Sequence, residues 1–304
     1  MSKTAGGARS LLFRGTATAL VTPFTAEGGV DETALRSLVE RQIRERVEAL
    51  VPVGSTGEGA TLTENEQARV IECVVDQTKG RIPVIAGASS NSTAKAAALA
   101  RRARQAGADA ILTVAPFYNK PTQEGMVRHF RAVAEAAEIP VVLYNVPGRT
   151  SSNIEAGTAI RLAEEVPAIA GIKEASANMA QIMEILRRRP EGFGVWSGDD
   201  NLALPLIALG ADGVISVVSN EIPGAFSDMV RHALKGKTEK ARVLHYRLLG
   251  LMQANFVESN PIPVKAALAM MDLIQEHCRL PLVPLSDGAR PALREALEEL
   301  DLIP

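Results

Sequence analysis

The chain has 304 residues, of which 46% are apolar and 22% charged, and its formal net charge is −2, a composition typical of a soluble globular protein. It contains no Lys/Arg run long enough to follow a nucleic-acid backbone and no apolar stretch near the ~18 residues that span a bilayer, so we expect neither a nucleic acid nor a membrane as partner. Its two cysteines, Cys73 and Cys278, form no Cys-x-x-Cys pair, which indicates neither a disulfide framework nor a zinc site and favours a reducing, cytoplasmic compartment.

Residues 1–10 lack the continuous apolar segment of a secretion signal, so we expect no leader there. Beyond them, short apolar runs alternate with longer segments of helical period over most of the chain. The runs are apolar throughout rather than alternating, as in parallel strands that are covered on both faces. Pro52 counts against the boundary chosen for the second run, because proline cannot donate to a strand ladder. The eight predicted strands are residues 16–21, 50–53, 84–86, 110–114, 141–145, 168–173, 195–197 and 213–217.

The segments between the strands carry helix-end signals. Asp31 is placed to cap the first helix, and Thr63 followed by Glu66 has the spacing of a capping box. Gly107 and Gly210 stand where two helices end and the next strands begin. These signals predict helices between successive strands.

Eight βα units in one unbroken alternation favour an α/β fold of the closed (β/α)8 TIM-barrel type over an open doubly wound sheet. The strands stop after about residue 222, and the rest of the chain reads as the last barrel helix and a helical appendage. We therefore predict a barrel domain over residues 1–235 and a C-terminal helical domain over residues 236–304. No Gly/Ser-rich linker separates them, so we expect them to pack together. The active site of such a barrel lies at the C-terminal ends of the strands.

Lys173 and Tyr144 close two neighbouring predicted strands at that end. Lys173 ends an apolar run, and burial there would favour the neutral amine, the form that attacks a carbonyl. A lysine that simply extends to water is the alternative. The phenol of Tyr144 could transfer protons beside it, or the ring could be an ordinary packed aromatic.

Two further features of the strand ends suit anion binding. The turn at residues 54–59, Gly-Ser-Thr-Gly-Glu-Gly, offers backbone N–H groups and the hydroxyls of Ser55 and Thr56 to a carboxylate or oxyanion, although such turns also arise for steric reasons alone. It matches neither the dinucleotide-binding nor the P-loop pattern. Arg149 follows a Pro-Gly turn and could grip a carboxylate with two hydrogen bonds or form a surface ion pair.

The remaining acidic and imidazole groups do not predict a metal site. Asp199 and Asp200 are a paired-carboxylate candidate, but no nearby histidine or third carboxylate supports it. The four histidines are scattered over helical segments, where we expect structural or solvated roles: His129, His232, His245 and His277.

Taken together, five motifs closely resemble the dihydrodipicolinate synthases, members of the pyruvate aldolase superfamily that also includes the N-acetylneuraminate lyases. The likeness runs from about Gly15 to the C-terminal region. The motifs are Gly54-Ser-Thr-Gly-Glu, Tyr144-Asn-Val-Pro-Gly-Arg-Thr, Gly171-Ile-Lys-Glu-Ala, Gly198-Asp-Asp and Asn260-Pro-Ile-Pro-Val-Lys.

The resemblance implies a Schiff-base-forming lyase. Lys173 matches the lysine that condenses with pyruvate, and Tyr144 the tyrosine that transfers protons above it. Thr56 matches a hydroxyl that links two tyrosines, and Tyr118 the second tyrosine, which reaches in from a neighbouring subunit. A shared site implies a homo-oligomer, in this family usually a tetramer built as a dimer of dimers.

The resemblance also assigns the substrates. Ser55 stands where many members carry threonine, and its hydroxyl would still bind a carboxylate. Arg149 matches the arginine that holds the carboxylate of L-aspartate-4-semialdehyde, while Gly198 and Ile215 match positions whose backbone lines the pocket. The implied product is 4-hydroxy-2,3,4,5-tetrahydrodipicolinate, of lysine and diaminopimelate biosynthesis. No metal or organic cofactor is expected, because the protonated imine is the electron sink.

Three other functions remain open from the sequence. Another pyruvate-dependent lyase, for a sialate or a keto-deoxy-sugar acid, is disfavoured by Arg149, which such enzymes usually lack. A non-catalytic barrel that acts as a binding module is disfavoured because every reactive position is filled. A phosphate-binding barrel enzyme would need a glycine-rich loop after the last strands.

One departure from the family concerns feedback regulation. Lysine-sensitive members bind lysine at a subunit interface through a histidine, a glutamate and a tyrosine. Those places here hold Glu64, Lys95 and Phe117. Because a lysine ligand would meet like charge at Lys95 and lose a hydroxyl at Phe117, we expect weak or absent inhibition by lysine.

Overall fold

The computed structural model describes residues 10–304, so most of the segment that the sequence predicts to lack a leader lies outside the described residues. Its centre is a parallel eight-stranded sheet with the order β2-β1-β8-β7-β6-β5-β4-β3. The strands are β1 (Gly15–Ala19), β2 (Ala49–Val51), β3 (Ile85–Gly87), β4 (Ala110–Val114), β5 (Val141–Asn145), β6 (Ile169–Glu174), β7 (Gly194–Ser197) and β8 (Gly213–Ser216).

The sheet closes on itself between β2 and β3. A parallel bridge joins Leu50 to Val84, and the Leu50 N–H donates to the Pro83 carbonyl at 3.0 Å. The predicted (β/α)8 barrel is therefore confirmed. β2 ends one residue before Pro52, which has no N–H to continue the ladder, and its carbonyl instead accepts a hydrogen bond from Gly87 N at 2.9 Å.

Helices follow the strands around the barrel, with the predicted ends. The Asp31 carboxylate accepts from Ala34 N at 2.9 Å, and Thr63 and Glu66 form the reciprocal capping box. Gly107 and Gly210 take φ values of 91° and 106°, which favour glycine. The helices are α1 (Glu32–Arg44), α2 (Glu64–Thr78), α3 (Thr93–Gln105), α4 (Gln123–Ala137), α5 (Pro147–Thr150), α6 (Ala156–Glu165), α7 (Met179–Arg188), α8 (Ala203–Ala208), α9 (Pro223–Leu234), α10 (Thr238–Ala254), α11 (Ile262–Met270) and α12 (Arg290–Glu298).

Aromatic side chains fill the interior of the barrel near the start of β1. Trp196 stacks on Phe13 with ring centroids 4.7 Å apart, and its indole N–H donates to the Phe13 carbonyl at 3.3 Å. A Cβ added at Gly194 would lie 2.1 Å from the Trp196 ring, so only glycine fits beside it. Because this end is filled, the polar residues at the C-terminal ends of the strands can surround an open site.

The helices after the barrel pack on its last helix, α9. A second apolar cluster joins Phe226 and Met229 of α9 to Leu248 of α10 and Leu293 of α12. Gly236 turns the chain between α9 and α10. The domain boundary after residue 235 stays a prediction. Across residues 10–304, no helix combines the length and apolarity that crossing a bilayer needs.

Candidate active site

The register of β5 and β6 places the two main candidates side by side. Tyr144 lies opposite Lys173, and both side chains are buried, Lys173 with only 4% exposure. The Lys173 Nζ is 4.4 Å from the centroid of the Tyr144 ring. The alternative in which Lys173 simply extends to water is therefore wrong. Its amine is buried beside the aromatic ring of Tyr144.

Gly198, which follows β7, makes room for the lysine. A Cβ at Gly198 would lie 3.0 Å from Lys173 Cε and 2.5 Å from the Ala175 Cβ. Its backbone N–H is already used, donating to the Glu174 carbonyl at 2.7 Å. Any larger side chain here would displace the chain of Lys173.

A cavity of about 600 Å³ opens beside this pair. Its wall includes Ser55, Tyr144 and Arg149, and Lys173 reaches that wall through its contact with Tyr144. Ile215 is fully buried in β8 and belongs to the same interior cluster as Tyr144. Ser55, Tyr144 and Arg149 thus line one cavity, Lys173 contacts Tyr144, and Ile215 is buried in the barrel interior.

Thr56 and Arg149 are connected through a residue of the C-terminal part. The Asn260 amide donates to the buried Thr56 hydroxyl at 2.9 Å, and Arg149 Nη2 donates to the Asn260 backbone carbonyl at 3.2 Å. Asn260 lies in one of the motifs behind the family resemblance, but no local sequence pattern predicts its contacts with Thr56 and Arg149. Only the folded chain brings it to the barrel mouth.

Tyr118 is the candidate residue that does not join the others around the cavity within one chain. Its side chain is 87% exposed, on a backbone with φ 72°, beyond the end of β4. It therefore stands in solvent rather than against Thr56 or Tyr144. The predicted relay of two tyrosines and a threonine is not formed within residues 10–304 of one chain.

Sequence reasoning missed a polar cluster behind the candidate pair. The Asn145 amide donates to both oxygens of Glu174 at 3.1 and 3.2 Å, and Gln181 and the N–H of Ser176 donate to the same carboxylate at 3.2 and 2.9 Å. Burial raises the pKa of Glu174, and these hydrogen bonds oppose the rise. The cluster could have been predicted from the position of Asn145 and Glu174 in the sequence. Each directly follows a candidate residue on its strand, so its side chain points to the other face of the sheet.

The two aspartates after β7 have different environments. Asp200 Oδ2 accepts from the N–H groups of Val217 and Val218 at 3.1 and 2.9 Å, so Asp200 fixes the turn after β8. Burial raises the pKa of Asp200 to about 6. Burial also raises the pKa of Asp199, opposed by the positive charge of Lys173. In the part of the chain that the structure describes, no group of three or more His, Cys, Asp and Glu side chains is arranged to hold a metal ion.

The residues at the lysine-sensing positions lie on the same cavity. Glu64, Lys95 and Phe117 line it together with Arg149. The side chain of Lys95 therefore forms part of the wall of the cavity that Tyr144 and Arg149 also line.

Comparison with known proteins gives one consistent result. The model of the dihydrodipicolinate synthetase family matches residues 12–300. A 4-hydroxy-tetrahydrodipicolinate synthase of Koribacter versatilis is 53% identical over 288 residues, which cover 94% of both chains. A chloride-inhibited dihydrodipicolinate synthase of Acinetobacter baumannii, crystallised with pyruvate, is 44% identical with a TM-score of 0.93 and covers 95% of this chain and 99% of its own. An enzyme of this type from Cyanidioschyzon merolae with lysine bound is 41% identical with a TM-score of 0.94, over 97% and 100% of the two chains.

The polar cluster behind the candidate pair gives a pH-dependent prediction. The raised pKa means that Glu174 contributes most to stability below its ordinary pKa of 4.5 and less as the pH rises through the folded value. Asn145→Ala removes the amide nitrogen that donates to both oxygens of the carboxylate and raises that pKa further. We expect a loss of about 1–3 kcal/mol in the free energy of unfolding at pH 8, shrinking towards pH 4.5, measured by urea unfolding. Asn65→Ala, at an exposed position of α2, is the control. An equal loss at both pH values would contradict this account.

Proposed function

The chain belongs to the dihydrodipicolinate synthetase family, and from this premise we propose that it condenses pyruvate with L-aspartate-4-semialdehyde to give 4-hydroxy-2,3,4,5-tetrahydrodipicolinate through a Schiff base on Lys173. This is a lyase reaction of lysine and diaminopimelate biosynthesis. The observation that carries the proposal is the buried Lys173 amine, 4.4 Å from the centre of the Tyr144 ring, at the ends of two paired strands beside a cavity.

The first half of the reaction activates pyruvate. The Lys173 amine adds to the C2 carbonyl, and loss of water from the carbinolamine leaves a protonated imine. Tyr144 gives and takes the protons of this exchange, for which its ring lies beside the amine. Loss of a proton from the pyruvate methyl group then yields an enamine, with the imine nitrogen as the electron sink.

The second half forms the ring. The enamine carbon attacks the aldehyde carbon of the semialdehyde, which becomes the hydroxyl-bearing carbon of the product. The substrate's own amine then attacks the imine carbon and displaces Lys173, so the free enzyme is restored as the six-membered ring closes. Every bond in this sequence is made by substrate groups and one lysine.

The cavity wall supplies the binding groups. We propose that Ser55, on the cavity wall, and the adjacent buried Thr56 hold the pyruvate carboxylate, and that Arg149, exposed on the same wall as Ser55, holds the carboxylate of the semialdehyde. Gly198 and Ile215 complete the pocket, Gly198 by leaving room for the lysine side chain. Within residues 10–304 the Arg149 side chain donates one hydrogen bond, to the Asn260 carbonyl, so most of its guanidinium hydrogens remain available.

The functional unit is proposed to be a homo-oligomer, a tetramer built as a dimer of dimers. The support is Tyr118, whose exposed ring suits a contact with the site of a second copy, and its half-exposed neighbour Phe117. A cytoplasmic location is proposed as well, because Cys73 and Cys278 are both free and buried, which suits a reducing compartment.

The reaction is tested by steady-state assays of ring formation from pyruvate and the semialdehyde. We expect Lys173→Met to abolish turnover, because the nucleophile is gone, and Tyr144→Phe to lower kcat by about 10²–10⁴-fold through loss of proton transfer. Lys235→Met and Tyr246→Phe, the same changes at exposed positions, are the matched controls. Turnover by Lys173→Met at the rate of its control would overturn the proposal.

The choice of aldehyde is tested at Arg149. Because a hydrogen bond to a charged group contributes about 1.5–3 kcal/mol, we expect Arg149→Met to raise KM for the semialdehyde by about 10–100-fold and to change KM for pyruvate little. Arg128→Met, at an exposed position of α4, serves as the control. Wild-type preference for a sugar aldehyde over the semialdehyde would favour the sugar-acid lyase instead.

Regulation by lysine is tested by an initial-rate titration. We expect weak or absent inhibition, since Lys95 places like charge at the cavity that would receive the ligand. Lys95→Glu, which replaces the like charge with a carboxylate that can pair with the ligand's ammonium, should increase sensitivity to lysine. Strong inhibition of the wild-type enzyme by sub-millimolar lysine would contradict this expectation.

A further inference from the structure

A buried ion pair joins the active-site turn to the C-terminal part of the chain. Lys265 Nζ lies 2.5 Å from Glu58 Oε1, and neither side chain is exposed. The ammonium also donates to the Thr22 carbonyl at 3.0 Å and lies 4.2 Å from the centroid of the Phe24 ring. Lys265 is thus fixed to the barrel from three directions.

Glu58 is held at both of its oxygens. Oε1 accepts from Lys265, and Oε2 accepts from the backbone N–H of Arg279 at 3.0 Å. Glu58 itself takes a left-handed backbone with φ 51°, two residues after Thr56. The carboxylate therefore fixes a backbone conformation that a free turn would seldom adopt.

The turn at residues 54–59 is tightly packed, so a displacement of Glu58 should also displace the neighbouring residues of the turn. A Cβ added at Gly59 would lie 2.4 Å from the Val53 carbonyl oxygen, and one at Gly57 would lie 2.9 Å from the Leu20 carbonyl oxygen. Because the glycines on both sides of Glu58 lie close to other backbone atoms, we expect a displacement of the carboxylate to shift Thr56, two residues earlier, as well.

We infer that the Lys265–Glu58 ion pair positions the turn at residues 54–59, so that the Ser55 and Thr56 hydroxyls meet the carboxylate of pyruvate. Lys265 and Glu58 are positioning residues for the reaction, acting through the turn. The inference rests on the proposed function, which assigns that carboxylate to Ser55 and Thr56.

The energetics of buried charge favour positioning over stability as the role of the pair. Removing two charges from water costs several kcal/mol per ion, and a buried pair is often no more stabilising than apolar residues of the same volume. Burial lowers the pKa of Lys265, with Glu58 opposing the change, which reflects the same cost. Unlike an apolar contact, the pair fixes the orientation of the Glu58 carboxylate, because Lys265 and Arg279 each donate a hydrogen bond to one of its oxygens.

Three variants distinguish an effect on the position of the turn from an effect on the stability of the fold: Lys265→Met, Glu58→Gln and the double variant. Each single change leaves one buried charge without its partner, so each lowers the urea midpoint, and the double variant recovers part of the loss. We expect KM for pyruvate to rise about tenfold or more in the singles and to remain raised in the double variant, because misplacing a binding group has effects of this size. KM for the semialdehyde should change less, since Arg149 belongs to α5 and lies outside the turn at residues 54–59. Glu58→Gln keeps the side-chain volume and can be assayed even if Lys265→Met does not fold.

The matched control is the ion pair of Arg189 and Asp212, which joins the end of α7 to the start of β8 at the opposite end of the barrel. Its double variant, Arg189→Met with Asp212→Asn, should leave KM for pyruvate unchanged. Recovery of KM together with stability in the Lys265→Met/Glu58→Gln enzyme would overturn the inference. A wild-type enzyme without pyruvate turnover would instead overturn the proposed function, and this inference with it.

Discussion

The parallel register of β5 and β6 is the constraint on which the site depends. Backbone hydrogen bonds set Tyr144 opposite Lys173, and the alternation of side chains along a strand sends both to the barrel interior and sends Asn145 and Glu174 to the helix side. A slip of one residue would exchange the two faces and place a carboxylate where the amine now lies. The apolar residues before Lys173 keep its amine buried from water. The absence of a side chain at Gly198 leaves the space that the lysine side chain occupies.

The rest of the site is assembled from distant parts of the chain. The turn after β2 carries the hydroxyls, the turn after β5 carries Arg149, and the motif that begins at Asn260 contacts both. The C-terminal helices therefore do more than cover the last barrel helix. Lys265 of α11 and the preceding Asn260 contact residues at the barrel mouth, while the apolar side chains of these helices form one cluster with α9.

Much of this arrangement could be predicted from local sequence. Apolar runs predicted all eight strands, with β4 and β5 at the observed bounds, and the caps at Asp31 and Thr63 marked helix starts, because these patterns depend on neighbours in the chain. Strand ends located Lys173 and Tyr144 for the same reason. The contacts of Asn260, Lys265 and Glu58 could not be predicted, since they join residues about 200 positions apart and no local pattern encodes such a pairing. The position of Tyr118 relative to a second copy is likewise not encoded within one chain.

The central claim, that a buried lysine amine bonds to a keto acid, is tested most directly by borohydride reduction in the presence of pyruvate, followed by mass spectrometry of the intact chain and its peptides. We expect a single reduced pyruvate adduct on the peptide that contains Lys173, and no adduct without pyruvate. An adduct on another lysine, or none at saturating pyruvate, would contradict it.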